Sequence, residues 1–436
     1  MSVPVPGAPV VSGPPAAETP TGRLISAMFL SNASAFVGLL TPLQLLLTLH
    51  LTRIEGPGAA AAFGVVTGFG AVFALVANPL GGRISDRTAA RFGRRRTWIL
   101  TGSLAGALVV GAIGFTTEVW QVAVLWCAAQ TLFNFQLAAT SALMADQVPQ
   151  ARRGTASGML GLAAALGPLA GIGAVSAVRD PLLQWAVAAV AVVLLGLLAL
   201  ALIRERPLPG RTGAAQLGAV ELMTSLWLNP RRHPAFGWAW LVRFLLACGV
   251  ASATYNAFFL MDRFGLGTDE VGGPVLVLAV INVAMLAVSS AVAGPVSDRL
   301  GRQKPFAVAA GVLAAVALVL MALATTLWVV YVAVTLLGIA TGLMVSVDTA
   351  MCVRVLPSRE NAGKDLGVVN MANTLPQSIV PFVAPALLAL GGFTAVYLVL
   401  AVVAVLGGVA VLRIPEIGRE GDPRWAPITR DEWAPA

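Results

Sequence analysis

With 436 residues, 58% of them hydrophobic and 11% charged, and a mean hydropathy of +0.84, the chain excludes a soluble globular protein, whose charged fraction runs near roughly 25%. Of its 28 Lys and Arg, only Arg53, Arg179 and Arg263 fall in links on one side and Arg243 falls within an apolar segment, which leaves 24 on the other side. A formal charge of +8 distributed in this way is the positive-inside pattern of a polytopic membrane protein, not a nucleic-acid surface.

Residues 1–22, rich in Pro and Ala, read as a disordered cytoplasmic tail. The apolar run that begins after Arg23 is too long for a cleavable leader and remains as the first span, 23–49, which holds Asn32, Pro42 and Gln44. The second span is 59–82 and the third 97–116. Between them the segment NPLGGRISDRTAARFGRRRTWIL carries Arg83, Arg87, Arg91, Arg94, Arg95 and Arg96 against one acid, Asp86. So basic a link between two membrane helices belongs on the cytoplasmic side. Gly81 and Gly82 let another helix approach closely, and Asp86 ends its helix where a neighbouring dipole or arginine can hold it. The fourth span, 119–145, is interrupted by Gln130, Asn134 and Gln136, and a basic turn, DQVPQARRG, follows from Asp146. Gly82, Asp86, Arg87, Gly93, Arg94, Arg95 and Asp146 together read as a charged gating latch between helix ends.

The fifth span, 155–178, carries Gly158, Gly161, Gly167, Gly171 and Gly173, a density of small residues that lets helices pack closely in lipid. The sixth, 182–203, is almost pure Ala, Val and Leu and faces lipid or packs passively. Residues 204–235 form a cytoplasmic linker. Within it, 214–228 has amphipathic spacing, although a plain tether explains the segment as well. Six further spans follow at 236–261, 271–297, 306–324, 327–353, 366–390 and 393–412, and the charged tail 414–436 returns to the cytoplasm.

The halves repeat. AGPVSDRLGRQKP lies about 212 residues after the first latch, with Asp298, Arg299 and Arg302 at matching places, and Val148-Pro149 recurs about 208 residues later as Leu356-Pro357. Two agreeing offsets imply duplicated six-helix bundles, 23–203 and 236–413, the plan by which secondary transporters build a central site.

A G-x-x-x-D-R-x-G-R type link after the second and eighth spans resembles the major facilitator superfamily over residues 23–412. SDRTAARFGRRRTWI and AGKDLGVVNMANTLPQSIVP (362–381) are similar to the sucrose/proton symporters and the glycoside–pentoside–hexuronide:cation symporters, in particular actinobacterial ones. The resemblance implies twelve helices, alternating access and a sugar-like cargo. The acids that melibiose-type members carry in the first two spans are absent here, which argues against sodium coupling. Gly167-Pro168-Leu169-Ala170-Gly171 partly matches the Gly-Pro motif of superfamily antiporters.

Arg243 lies about eight residues into the seventh span, where a charge costs about 2.5–3.5 kcal/mol and normally faces a cavity or a partner. Asp348 is the one acid well inside a span of the second half. A pair of the two could exchange a proton as access changes, or could simply be a fixed ion pair. Amides suit uncharged, hydroxyl-rich cargo. Candidates are Asn32, Gln130, Asn134, Asn256 and Asn282, with Tyr255, and the set Asn370, Asn373 and Gln377 that shares one helical face; interhelical bonding is the plainer role for any single one. Pro376, Pro381 and Pro385 break the ladder of the eleventh span, as Pro42 breaks the first. Cys127, Cys248 and Cys352 stand far apart in apolar segments, and there is no P-loop, dinucleotide fingerprint, metal spacing or nucleophile constellation, so neither a cofactor, a metal nor an enzyme is expected.

The expectation is an all-α, twelve-helix, multi-pass protein of the plasma (inner) membrane with both termini cytoplasmic. It acts as a monomer with a small-molecule substrate, protons and the lipid bilayer as partners, and no nucleic acid. It moves a small polar, sugar-like solute by proton-coupled alternating access. A proton-driven drug or metabolite exporter is the nearest alternative, and a non-transporting sensor or scaffold is one of another class.

Overall fold

Hydrocarbon offers no partner for backbone N–H and C=O, so a chain this apolar closes its hydrogen bonds within helices. The computed structural model describes residues 19–88, 90, 92–205, 234–300, 302–354 and 362–414, and among these every regular element is helical. The helices are α1 (Thr21–Thr41, continued by a π-helical turn, Pro42–Leu46, into Leu47–Glu55), α2 (Ala59–Arg87), α3 (Arg94–Ile113), α4 (Val119–Gln147), α5 (Arg153–Ser176) and α6 (Pro181–Leu202). The second half holds α7 (Pro234–Ala251, then a 3-10 turn, Ser252–Tyr255, then Asn256–Phe264), α8 (Gly272–Leu300), α9 (Lys304–Leu323) and α10 (Leu327–Arg354). The stretch Ala362–Ala410 is broken at Gly391 and Gly392 into α11 (362–390) and α12 (393–410). Among the described residues ten apolar stretches are long enough to cross a membrane; the first contains both α1 and α2 and the last contains the α11–α12 corner, in keeping with twelve spans.

Local chemistry sets the helix ends. Glu118 and Gln121 form a reciprocal capping box at the start of α4, and Asp180 accepts from the Leu183 N–H at 2.9 Å with Pro181 as the first residue of α6. Two expected single helices are interrupted. Pro42 lacks the N–H that the Gly38 carbonyl would accept, and the ladder widens there to a π turn. In α7, Ser252 Oγ donates to the Gly249 carbonyl (2.6 Å) and Thr254 Oγ1 to that of Ala251 (2.8 Å), and the backbone tightens to a 3-10 turn beside these bonds. These two irregular turns occupy corresponding places in the two halves and pack on each other. The second and third spans also extend further than expected, to Arg87 and from Arg94, so the link between them is shorter.

Helices α1–α6 pack mainly among themselves, as do α7–α12; across the two sets α2 lies on α11 and α5 on α8. The expected lipid-facing role of α6 fits its exposed Leu183, Val190, Leu194 and Leu198, with Trp185 turned inward.

Candidate functional site

The arginine link folds into a fixed joint. Arg95 is only 3% exposed in its side chain; its Nε donates to Asp146 Oδ2 (3.0 Å), its Nη2 to Asp86 Oδ1 and its Nη1 to Ser85 Oγ, and Arg94 Nη2 reaches the same Asp146 oxygen at 2.7 Å. One guanidinium therefore ties the ends of α2, α3 and α4, as a planar fork can and an ammonium cannot. The joint lies at helix ends within the first bundle, and Asp86, 57% exposed, keeps an open side. Gly81, not Gly82, makes the close approach: a Cβ on Gly81 would stand 2.8 Å from the Phe135 Cα, whereas one on Gly82 meets nothing within 4 Å. Arg87 is exposed at the helix end.

Gly93 and a residue outside the expected site complete this joint. Gly93 has φ +101°, and the N-terminus of α3 that it precedes has no side-chain cap of its own. Glu205, from the first residues of the expected linker, supplies one: its carboxylate accepts from the Arg95 N–H at 3.0 and 3.2 Å and from the Arg96 N–H at 3.0 Å. Thr19 and Arg204 exchange two 3.0 Å hydrogen bonds, and Arg23 Nη2 donates to the Ala201 carbonyl, so the chain entering α1 is fastened to the same place. The sequence signal for Glu205 was a bare glycine at a helix start, which requires a cap from elsewhere.

Two of the amides expected to meet cargo, Asn32 and Asn134, bond across helix seams. Asn32 Nδ2 donates to the Leu160 carbonyl (2.9 Å), joining α1 to α5. Asn134 Nδ2 donates to the Gln130 carbonyl (2.8 Å), and Asn78 donates to Asn134 Oδ1 (3.4 Å), joining α2 to α4. Gln136 Nε2 donates to the Ser31 carbonyl (3.0 Å) and the Ser31 and Thr140 hydroxyls meet at 2.7 Å. Tyr255 is 1% exposed and its hydroxyl donates to the Pro381 carbonyl at 3.0 Å, so in this conformation it offers cargo nothing. Asn256 and Asn282 are half-buried and Gln377 is exposed, and none of the three makes a side-chain hydrogen bond among the described residues. The side chains of Asn370, Asn373, Asp298 and Asp348, and the whole of the 214–228 segment and Leu356-Pro357, lie outside the described residues. Arg243 is half-buried on α7, which packs on α10, the helix that contains Asp348. Arg299 and Arg302 are exposed at the second basic link.

The two ends of the molecule differ. At the end away from the arginines, a Cβ on Gly173 of α5 would stand 3.7 Å from Leu276 of α8, and one on Gly272 of α8 would stand 2.9 Å from Ser176 Oγ of α5. At the arginine end of α5, by contrast, Gly154, Gly158 and Gly161 have nothing within 4 Å of that position, nor does Gly294 of α8. Among the described residues, α5 and α8 thus touch at the end away from the arginines, and these glycines meet nothing at the arginine end.

Relatives agree with this architecture. The chain is 28% identical over 355 residues to the multidrug resistance protein MdtG of Dickeya zeae (strain Ech586), covering 79% of this chain and 82% of that protein. The fold matches the crystal structure of the nucleoside transporter NupG with a TM-score of 0.69 at 15% identity, over 90% of this chain and 98% of that one. It also matches a bacterial homologue of the human lysosomal transporter Spinster in an inward-facing, unoccupied conformation (TM-score 0.63, 14% identity, 90% and 95% covered). The family model of the Major Facilitator Superfamily matches residues 23–290 and 275–434, and with the duplicated twelve-helix plan this places the chain in that superfamily, as a membrane transporter of small molecules and not an enzyme.

Proposed function

We propose that the chain is a secondary exporter of amphipathic, largely apolar small molecules, working by alternating access with its arginine-rich end in the cytoplasm of a bacterial inner membrane. The observation that carries this reading is the engagement of Asn32 and Asn134, two of the candidate cargo amides, in bonds between helices. A hydroxyl-rich sugar needs uncommitted donors and acceptors, because a site that leaves buried polar groups unpaired binds poorly. The multidrug resistance name of the curated relative supports the same choice over the sugar symporters that the link and the 362–381 segment resemble. Protons remain the proposed coupling ion, with Asp348 as carrier and Arg243 as the cation that tunes it.

A second reading, uptake of a polar uncharged solute, is favoured by Gln377, exposed on α11 and in register with Asn370 and Asn373. Direct binding in detergent separates the two. Lipophilic cations are expected to bind at micromolar concentration while mono- and disaccharides do not. Saccharide binding that is lost in Asn373→Leu would overturn the exporter reading in favour of the second.

A further inference from the structure

Helix α11 carries prolines four residues apart, Pro381 and Pro385. In an α-helix the carbonyl of residue 381 accepts from the N–H of residue 385, and proline has none. The vacated carbonyl is buried, yet it is paired, because the Tyr255 hydroxyl of α7 donates to it at 3.0 Å. Tyr255 closes the 3-10 turn that separates the first part of α7 from Asn256–Phe264. The bond therefore fixes the outer segment of α7 to α11 at the point where α7 has lost its own rigidity. The same place is where the bundles touch: Phe63 of α2 packs edge-on against Tyr255 (5.2 Å) and Phe258 (5.3 Å), and Gly64 of α2 sits on the Pro381 carbonyl and the Pro385 ring.

We propose that Tyr255 is a gate-positioning residue: Pro385 frees the Pro381 carbonyl, Tyr255 occupies it, and the bond holds the outer segment of α7 shut against Phe63 and Gly64. The proposal rests on alternating access and not on which cargo is moved. It makes Tyr255 and Pro385 one device. Tyr255→Phe keeps the ring packing and orphans the carbonyl, whereas Pro385→Ala returns an N–H to the carbonyl and makes the hydroxyl superfluous.

The test reads labelling of Ser252→Cys, one turn inside the closed end, by a membrane-impermeant maleimide added on that side, in a background without native cysteines. One hydrogen bond of ordinary net strength predicts labelling about 2- to 12-fold faster for Tyr255→Phe. Pro385→Ala is expected to show a similar increase, and adding Tyr255→Phe to it no further one. Unchanged labelling in both single variants, or full additivity in the double, overturns the proposal. A lowered melting temperature with unchanged labelling also overturns it, since that is what a purely structural bond gives. If Tyr255→Phe does not fold, the Pro385→Ala arm decides alone. Loss of transport with wild-type labelling rejects the gate and leaves the transport reading intact.

Discussion

Gly93→Ala is the sharpest perturbation of the arginine joint. At φ +101° and ψ 146° the backbone is in a region that only glycine adopts freely, and placing a β-carbon there costs about 1–3 kcal/mol. The new Cβ would also stand 2.5 Å from Glu205 Oε2 and 2.9 Å from the Glu205 Cβ, so the whole acid must withdraw rather than swing its tip aside. With it goes the cap on the Arg95 and Arg96 N–H groups, worth about 0.5–2 kcal/mol. The combined loss is about 1.5–5 kcal/mol. Glu205→Ala alone removes only the cap and is expected to lose about 1 kcal/mol. Because Gly93→Ala has already displaced the acid, the double variant is expected to be less destabilised than the sum of the two, by about the worth of the cap. Denaturant-induced unfolding in detergent micelles measures all three. Wild-type stability in Gly93→Ala, or strict additivity in the double, refutes the argument that this glycine exists to admit Glu205.

Arg95→Lys keeps the charge but cannot reach Asp86, Asp146 and Ser85 together, and should lower stability by about 1–3 kcal/mol and weaken transport, read by unfolding and by flux in proteoliposomes. Gly161→Leu fills a position with nothing within 4 Å, so expression and melting should be near wild type while transport slows at least several-fold, because the bundles can no longer close at that end. Asp348→Asn should abolish uphill transport driven by a pH gradient while downhill exchange survives; wild-type proton dependence in that variant removes Asp348 from coupling.

The helical fold and its duplication were legible because each rests on a pattern in the chain itself: apolar runs of spanning length, a repeated motif, and basic residues concentrated on one side. The breaks in α1 and α7 were less so. Pro42 announced the first, whereas the second follows from Ser252 and Thr254 competing for carbonyls, residues that are common inside ordinary membrane helices. Partner choice was the least legible. A sequence shows that Asn32 or Asn134 is an amide in an apolar helix, but not whether it faces a cavity or the Leu160 carbonyl one helix away. Likewise Glu205 looked like part of a linker because the helix it caps begins about 110 residues earlier.

The contrast between the two ends has a thermodynamic consequence for the cycle. Where the bundles meet, closure is made by Phe63, Phe258, Gly64 and the proline ring, contacts that water cannot replace. At the arginine end, the exposed groups among the described residues include Asp86, Arg87, Arg299 and Arg302, which water solvates well. Opening the arginine end is therefore cheap, and opening the aromatic end is not. A transporter whose two states differ by more than a few kcal/mol spends nearly all its time in one. The conformation closed at the arginine end must recover the difference, and the open side of Asp86 together with the unfilled glycine positions of α5 is the described surface on which it can do so. On this reasoning Asp86→Asn leaves the Arg95 joint folded, since Asp146 still holds that guanidinium, but removes part of the counterweight. Cysteines at Gly158 should then label faster from the arginine side, and those at Ser252 more slowly from the other. Equal labelling in wild type and variant would mean that the counterweight lies elsewhere than in Asp86.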